Sequence, residues 1–432
     1  MTYKLQTYTK YKNSTIEWFP TIPLNWKINR GKFYFRNHKE INKTMACDNV
    51  LSLTMNGVLH RDQLGEGGLL PTSYETFQIF EKDNLVFKLI DLENYKTSRV
   101  GIVPEKGIMS SAYIRLMIRN KDTNPRYFYW LYFNLYLQGI YNFLGMGVRS
   151  TLNYRDLLEL PIIIPNKEAQ KRIADFLDEK TKIIDGLVAK KEKMIELLHE
   201  KRTVLITQAV TKGLDPNSKM KPSGVDWLGD IPEGWKMTKL RREVIFQNGH
   251  GFPNEIQGRD KGEFPFLKVS DINGEKINIS SARNYVSNFD IKSHSWKKIP
   301  VGSVLTAKIG AALAVNHRKI NDVECIIDNN MLAFILRKKS WLYLKYFFML
   351  SKSIDLNWFV NPGAVPSVNM FQLKELLIPV PKKDQQKQIT DFLNTKNIKI
   401  NKTITLIGLQ IDQLKEYRSS LIYSAVTGKI KV

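Results

Sequence analysis

The sequence predicts a mixed α/β fold in which two pseudo-repeated globular domains are separated by two long helices that pair as an antiparallel coiled coil. Three observations predict this fold. An internal repeat relates the two halves of the chain, and each copy carries a heptad pattern of apolar residues. The segments outside these heptad patterns contain short sequence runs typical of β-strands, followed by helices rich in aromatic residues. The chain has 432 residues, enough for two or three hydrophobic cores.

The internal repeat sets the domain organisation. Residues 160–211 align without gaps to residues 376–427 at an offset of 216, which is half the length of the chain. A second set of anchors comes before each globular segment at an offset of 209. The identical pairs include Trp18/Trp227, Ile22/Ile231, Pro23/Pro232, Trp26/Trp235, Lys27/Lys236, Pro165/Pro381, Gln170/Gln386, Arg202/Arg418 and Val210/Val426.

The repeated segments read as long helices with a continuous apolar seam. Prolines come just before each segment and a glycine follows it, as expected for helix starts and ends. At ~1.5 Å per residue, each helix would span roughly 65 to 70 Å. A lone helix would expose its apolar stripe to water, so the two helices are expected to pack against each other. Antiparallel pairing would place one globular domain near each end of the rod. The predicted seam residues are Ile173, Leu177, Ile184, Leu187, Leu198 and Leu205 in the first helix, and Ile389, Leu393, Ile400, Ile407, Leu414 and Leu421 in the second.

The globular segments read as mixed strands and helices. We predict strands at residues 84–89 and 112–118 and, in the second copy, at 302–307 and 331–336. Aromatic helices follow, and their helical periodicity favours a core role over base stacking. Polar, glycine-containing loops able to reach base edges are expected at residues 56–68, 93–100, 145–151, 246–262 and 310–319.

Composition points to a polyanionic partner. Lys and Arg number 65 against 42 Asp and Glu, which gives a net charge of +23. The cysteines, Cys47 and Cys325, lie far apart, which excludes a disulfide scaffold or thiolate metal site. The first residues contain no apolar signal segment, and residues 127–148 favour a buried helix over a membrane span. We therefore expect a cytoplasmic protein.

Motifs of common enzyme classes are missing from the sequence. There is no phosphate-binding GxxxxGK[ST] loop, no HExxH and no Glu-x-Lys nuclease pair, although an Asp-x-Lys variant stays open. Residues 145–150 resemble half of a dinucleotide fingerprint and are better read as a loop. Asn124-Pro125-Arg126-Tyr127 differs from a methyltransferase motif at Arg126 and is better read as a turn. Binding is therefore favoured over catalysis.

The order of motifs resembles the specificity subunit of Type I restriction-modification systems. The resemblance rests on Ile-Pro-x-x-Trp at residues 22–26 and 231–235, the proline segments at 161–165 and 379–381, the helix-start glutamines, and the Ala-Val-Thr helix ends. It implies two target-recognition domains that each read one half of a split, asymmetric double-stranded DNA site. The helices are implied to act as a ruler and to dock two modification (methyltransferase) subunits, with restriction (translocase and nuclease) subunits in the complex.

The resemblance also implies a division of labour and a set of domain boundaries. This chain would hold no catalytic or metal site, while S-adenosylmethionine, ATP and Mg would be bound by partners that methylate adenine and cleave DNA. The implied boundaries are target-recognition domain 1 at residues 1–165, the first helix at 166–213, a linker at 214–224, target-recognition domain 2 at 225–381 and the second helix at 382–428.

Basic side chains on predicted loops and strand ends are the candidate DNA contacts, since arginine pairs with guanine and lysine mostly meets phosphate. The candidate DNA contacts are Arg61, Arg99, Arg149, Arg259, Lys308, His317 and Arg318.

Two alternative functions stay open: a coiled-coil adaptor that binds nucleic acid nonspecifically, and a specificity subunit of a methyltransferase that lacks any nuclease.

Overall fold

The computed structural model describes residues 6–54, 57–61, 73–90, 92, 99–145, 151–274, 276–361, 363 and 365–432. The chain divides into two compact units. The first unit comprises Met1–Glu192 and Gly408–Val432, and the second comprises Lys193–Ile407. The chain therefore enters, leaves and re-enters the first unit, whereas the second is continuous in sequence.

The elements of the first globular segment are short strands and three helices. The strands are β1 (Tyr11–Asn13), β2 (Thr21–Pro23), β3 (Lys27–Arg30), β4 (Phe35–Asn37), β5 (Leu51–Thr54), β6 (Gly57–His60), β7 (Gln78–Phe80), β8 (Leu85–Phe87), β9 (Val100–Ile102), β10 (Gly107–Met109), β11 (Ile114–Ile118) and β12 (Pro161–Ile164). The helices are α1 (Pro125–Leu137), α2 (Ile140–Leu144), α3 (Tyr154–Glu159) and then the long α4 (Lys167–Lys212).

The second globular segment follows a similar order and ends in the second long helix. Its strands are β13 (Met220–Pro222), β14 (Asp230–Pro232), β15 (Lys236–Lys239), β16 (Val244–Asn248), β17 (Phe264–Leu267), β18 (Asn278–Ile279), β19 (Asn284–Val286), β20 (Val304–Ala307), β21 (Lys319–Asn321), β22 (Ile326–Ile327), β23 (Met331–Leu336), β24 (Val360–Asn361), β25 (Ser367–Val368) and β26 (Leu377–Val380). Its helices are α5 (Leu240–Glu243), α6 (Asn288–Ser293), α7 (Ala312–Val315), α8 (Leu344–Ser353), α9 (Met370–Glu375) and α10 (Lys383–Val426).

A small mixed architecture recurs in both units. The first contains a four-stranded antiparallel sheet in the order β4-β11-β8-β9, and the second a five-stranded sheet in the order β16-β23-β20-β21-β18. The four predicted strands are β8, β11, β20 and β23, and the predicted aromatic helices are α1 and α8. Most aromatic side chains of both helices are buried in the cores, which confirms the core role over base stacking.

The predicted loops are only partly loops. Gly57–His60 forms β6, where Val58 is buried against the sheet, and residues 246–248 extend β16. Ala312–Val315 forms the short helix α7. Residues 62–68, 93–98 and 146–150 lie outside the described residues. No helix among the described residues is both long and apolar enough to cross a lipid bilayer.

The repeated sequence anchors are structural. Ile22 and Trp26 are buried in the first unit, and Ile231 and Trp235 are buried in the second. The strand after each anchor pairs antiparallel with the strand that leads into a long helix, β3 with β12 and β15 with β26. In both halves the anchors therefore lie next to the strand pair that leads into a long helix.

The repeated glutamines connect each long helix to its globular domain. The buried Gln170 accepts a hydrogen bond from the backbone N–H of Asn124 at 2.9 Å and donates to the Pro165 carbonyl at 3.1 Å. Gln386 accepts from the backbone N–H of Tyr343 at 2.9 Å and donates to the Pro381 carbonyl at 3.0 Å. Each side chain therefore joins a backbone N–H at the start of the aromatic helix to the carbonyl of the proline before the long helix.

The two long helices are antiparallel. In the first unit Asp185 pairs with Arg418 at 2.9 Å, and Lys191 donates to Gln410 at 2.7 Å, so residue numbers rise on α4 as they fall on α10. In the second unit Arg202 donates to Asn401, so the two helices also lie side by side there. The predicted antiparallel coiled coil is confirmed.

Each core holds the start of one long helix and the end of the other. In the first unit the Tyr127 hydroxyl lies 3.1 Å from the Ile163 carbonyl and 3.5 Å from the Val426 carbonyl at the end of α10. In the second unit the Tyr346 hydroxyl donates to the Val210 carbonyl at 3.1 Å, near the end of α4. These tyrosines tie the helix ends to the aromatic helices.

The seam differs most from the predicted one at Leu187. Leu187 is 42 % exposed, while Thr181 is buried and Val188 packs against the core. The strict heptad assumes 3.5 residues per turn, and an α-helix with 3.6 drifts off it by about 20° per heptad. Leu198, Leu205 and Leu414 are half-buried. The remaining predicted seam residues, Ile173, Leu177, Ile184, Ile389, Leu393, Ile400, Ile407 and Leu421, are buried.

Removing a glutamine bridge should destabilise its domain. We expect Gln386→Ala to lower the free energy of unfolding by about 1 to 3 kcal/mol, because the Tyr343 N–H loses its partner. Gln388→Ala is the control, since Gln388 is exposed on the same helix. Urea unfolding of the full chain measures both, and equal losses would contradict a role for the bridge.

The corrected seam makes a second prediction. Leu177→Ala removes a fully buried side chain and should cost about 2 to 5 kcal/mol of unfolding free energy. Leu187→Ala removes an exposed side chain of the same size and should cost less than about 1 kcal/mol. Thermal and urea unfolding of the two variants compare the positions directly, and a larger loss at Leu187 would restore the strict heptad.

Candidate nucleic-acid interface

In both copies a lysine directly follows the equivalent strand. It lies at the same end of the strands, which we call the sheet edge. In the first unit, Phe87 of β8 pairs with Ile114 of β11, and Lys88 comes next. In the second unit, Ala307 of β20 pairs with Met331 of β23, and Lys308 comes next. The pairing therefore makes Lys88 the counterpart of Lys308.

The edge around Lys308 carries side chains suited to nucleic acid. The ammonium group of Lys308 donates to Oδ1 of Asn248, the last residue of β16, at 3.0 Å. Partial burial lowers the pKa of Lys308, while the charge of Asp328 opposes that shift. Lysine suits phosphate, and asparagine can pair bidentately with adenine, so this edge offers both kinds of contact.

Close backbone packing holds this edge in place. A Cβ built on Gly249 would lie 2.0 Å from the Asp328 carbonyl oxygen, so only glycine allows the two segments to approach. The next residue, His250, accepts a hydrogen bond at Nε2 from the backbone N–H of Lys297 at 2.9 Å. Burial and the nearby Lys297 charge lower the pKa of His250, which agrees with a neutral, accepting nitrogen.

His317 and Arg318 lie on the segment that leads into β21. Because Leu305 pairs with Lys319, these two residues lie opposite the end of β20, at the edge that carries Lys308. His317 is half-buried, and desolvation lowers its pKa, with the charge of Lys319 acting in the same direction. Strand pairing thus places three of the candidates, Lys308, His317 and Arg318, at one edge.

Arg318 points into the protein. It is 4 % exposed and donates to Oγ1 of Thr306 at 2.7 Å and to Oδ1 of Asn316 at 2.8 Å. Burial lowers the pKa of its guanidinium to about 9. A direct DNA contact by Arg318 would require breaking these bonds, so in this structure it holds the edge together and does not line its surface.

The remaining candidates are dispersed. Arg99 is buried and donates to the Leu92 carbonyl, which corrects the expectation of an exposed loop arginine. The exposed Arg259 forms an ion pair with Asp290 at 3.2 Å. Arg61 is half-buried just after β6, and Arg149 lies outside the described residues.

Two residues at these sheet edges are not among the predicted contacts. Asn248, in the second unit, falls within a predicted loop, and Lys88, in the first unit, falls within a predicted strand. Aligning the predicted strands of the two copies would have found Lys88, because the segment 84–89 contains this lysine and the segment 302–307 is followed directly by Lys308. Burial of Arg99 and Arg318 has no comparable local signal, since it depends on carbonyl partners distant in sequence.

The described residues contain no group of three or more His, Cys, Asp or Glu side chains placed to hold a metal ion. Their polar features at the sheet edges are instead amides and cations, the side chains used to contact bases and phosphates.

A family match covers most of both copies. Residues 27–197 and 232–412 each match the family described as the Type I restriction modification DNA specificity domain. The chain belongs to the Type I restriction-modification specificity family. The two matches place a DNA recognition domain in each half of the chain, as the sequence resemblance implied.

Curated members of the family are similar over most of their length. The MjaVIII specificity subunit of a Type I restriction enzyme from Methanocaldococcus jannaschii is 23% identical over 366 residues, which cover 82% of this chain and 81% of that protein. The EcoBI specificity subunit from Escherichia coli is 22% identical over 297 residues, which cover 66% of this chain and 61% of that protein.

Solved structures share the fold. A chain from a study of complex assembly and conformational transition of the type I R-M system aligns with a TM-score of 0.72 at 12% identity, covering 95% of this chain and 99% of that chain. The HsdS subunit of Thermoanaerobacter tengcongensis aligns with a TM-score of 0.50 at 13% identity, covering 95% and 98%.

The edge lysine can be tested in a binding titration. We expect Lys308→Gln to weaken duplex binding by about threefold to tenfold for all sequences and to lower the salt slope by about one, because one phosphate contact is lost. Lys338→Gln removes an exposed charge beyond the other end of β23 and is the control. An unchanged slope for Lys308→Gln would remove this residue from the interface.

Proposed function

We propose that this chain is the DNA-reading subunit of a Type I restriction-modification complex and that it recognises a bipartite, asymmetric duplex site. The observation that carries the proposal is the presence of two DNA specificity domains in one chain. Each domain would read one half-site, and the sheet edge at Asn248 and Lys308 is the candidate contact of the second.

Differences between the two domains support an asymmetric target. The first unit has a four-stranded sheet, whereas the second has a five-stranded sheet and an additional three-stranded sheet. Two unlike surfaces read two unlike half-sites, because base recognition depends on the side chains presented.

The complex we propose divides recognition from chemistry. Two modification subunits would dock on this chain, and restriction subunits would join them. S-adenosylmethionine, ATP and Mg would be held by those partners, which would methylate adenine and cleave DNA. This chain would supply the position at which the chemistry takes place.

We further propose that the long helices set the number of unread base pairs between the half-sites. Their antiparallel pairing, seen in contacts such as Asp185–Arg418, would make the distance between the half-sites depend on the number of residues in each helix. A rigid connection also lets two short footprints act together, which raises affinity without new contacts.

Lengthening both helices tests this proposal. Adding one heptad after Lys190 and a matched heptad after Asp412 extends the coiled coil by about 10.5 Å at ~1.5 Å per residue. At ~3.4 Å per base pair, the spacer in the methylated site should grow by about three base pairs. Methylation-sensitive sequencing of DNA from cells that carry the whole system reads the spacer directly.

The control insertion places the same seven residues after Gly224, outside both helices. It should leave the spacer unchanged. If the helix insertion methylates DNA with the original spacer, the helices do not set the distance. If no sequence-specific methylation occurs even with the unaltered chain, the DNA-reading role itself fails.

A further inference from the structure

The second unit carries a basic groove with an exposed tryptophan at its rim. The groove has a volume of about 610 Å³, in the range of sites that hold small ligands or short peptide segments. Trp341 is 61 % exposed, and Met237, Val380 and Pro381 add apolar surface. A large aromatic side chain left in water next to apolar neighbours marks an interaction surface.

Five exposed cations surround this apolar surface. The groove lining contains one carboxylate, Glu243, which is buried and accepts hydrogen bonds from the Ser340 hydroxyl and the Trp341 N–H, so one negative charge stands against five positive charges. The nearby Glu375 is already paired with Lys239 and Arg241. The five cations, none of which forms an ion pair within the described part of the chain, are Lys236, Arg242, Lys339, Lys382 and Lys383.

Two of these lysines lie over aromatic rings. The ammonium group of Lys236 lies 5.3 Å from the centre of the Trp341 ring, and that of Lys383 lies 5.9 Å from the centre of the Tyr343 ring. These contacts hold the cations beside the apolar surface, and both lysines are exposed.

The corresponding place in the first unit is built differently. The glutamine bridges make Asn124 the counterpart of Tyr343, and the repeat makes Lys167 the counterpart of Lys383. By the same alignment Asp122 stands where the second unit has Trp341, and Lys167 pairs with it at 3.6 Å. The first copy thus neutralises its lysine and has Asp122 in place of the tryptophan, although a smaller pocket of about 390 Å³ lies there. The shared fold therefore provides the depression, and Trp341 is particular to the second copy.

The groove lies at the far end of the sheet from the candidate DNA edge. Arg242 and Glu243 precede β16, whereas Asn248 ends it, and five strand residues span ~16 Å. Trp341 likewise follows the end of β23, opposite the end that contacts Lys308. A duplex seated on the edge at Asn248 would not fill this groove, and duplex phosphates offer nothing apolar to Trp341.

We propose that this groove binds a short acidic segment of a partner protein. An apolar or aromatic side chain of that segment packs on Trp341, and carboxylates on either side pair with the surrounding cations. Because the second copy has Trp341 at this place and the first copy has Asp122 paired with Lys167, each chain binds one such segment. This inference goes beyond DNA recognition and does not depend on it.

Peptide binding to the full chain tests the proposal. The probe is a fluorescein-labelled dodecapeptide in which aspartates and glutamates flank a central pair of leucine and phenylalanine. The comparison peptide carries asparagines and glutamines instead of the acids. Fluorescence anisotropy at low and at physiological ionic strength measures both affinities. We expect the acidic peptide to bind at least about tenfold more tightly than its amide counterpart.

Two groove variants and one control locate the binding. Trp341→Ala and the double variant Lys382→Gln/Lys383→Gln should each weaken binding of the acidic peptide by about fivefold or more. Lys167→Gln, the counterpart of Lys383 in the first copy, should leave it unchanged. Unfolding curves that match those of the unaltered chain confirm that the variants fold.

Three results would overturn the proposal. The first is failure of the acidic peptide to bind better than the amide peptide. The second is equal peptide binding by the unaltered chain and both groove variants. The third is loss of duplex binding in the groove variants with peptide binding retained, which would assign the groove to nucleic acid.

Discussion

The shared burial of two helix ends is the constraint on which the rest of the structure depends. In the first unit the start of α4 and the end of α10 enter one core, where Ile173 and Val426 belong to the same buried cluster. In the second unit Val210 and Ile389 do so in the opposite roles. Neither core is complete without both helices, so antiparallel pairing follows from the cores as much as from the seam.

The features that the sequence predicts best are those that occur in both copies of the repeat. Trp26 and Trp235, and Gln170 and Gln386, stand at equivalent positions because each copy must solve the same packing and hydrogen-bonding problem. A self-comparison of the chain therefore finds the architecture. The seam was predicted less well near Leu187, because a strict heptad ignores the drift of a real helix that lets Val188 replace it.

The candidate interface was harder to predict, for a physical reason. Loop position and side-chain type suggested Arg318, yet its guanidinium is satisfied by Thr306 and Asn316, and such partners cannot be read from local pattern. Lys308 does lie at an accessible sheet edge, but its neighbour Asn248 became visible only through strand pairing. Residue type suggests which side chains could contact DNA, whereas strand pairing determines which of these side chains lie together.

The discontinuity of the first unit has a consequence for the order of folding. The second unit is made from one uninterrupted stretch, Lys193–Ile407, so its core can form as soon as that stretch has left the ribosome. The first unit needs residues 408–432, including Leu421 and Val426, to close its core, and the bridge between Gln6 and Lys431 joins positions more than four hundred residues apart. We therefore expect the core of the first unit to close last, once these C-terminal residues have been synthesised.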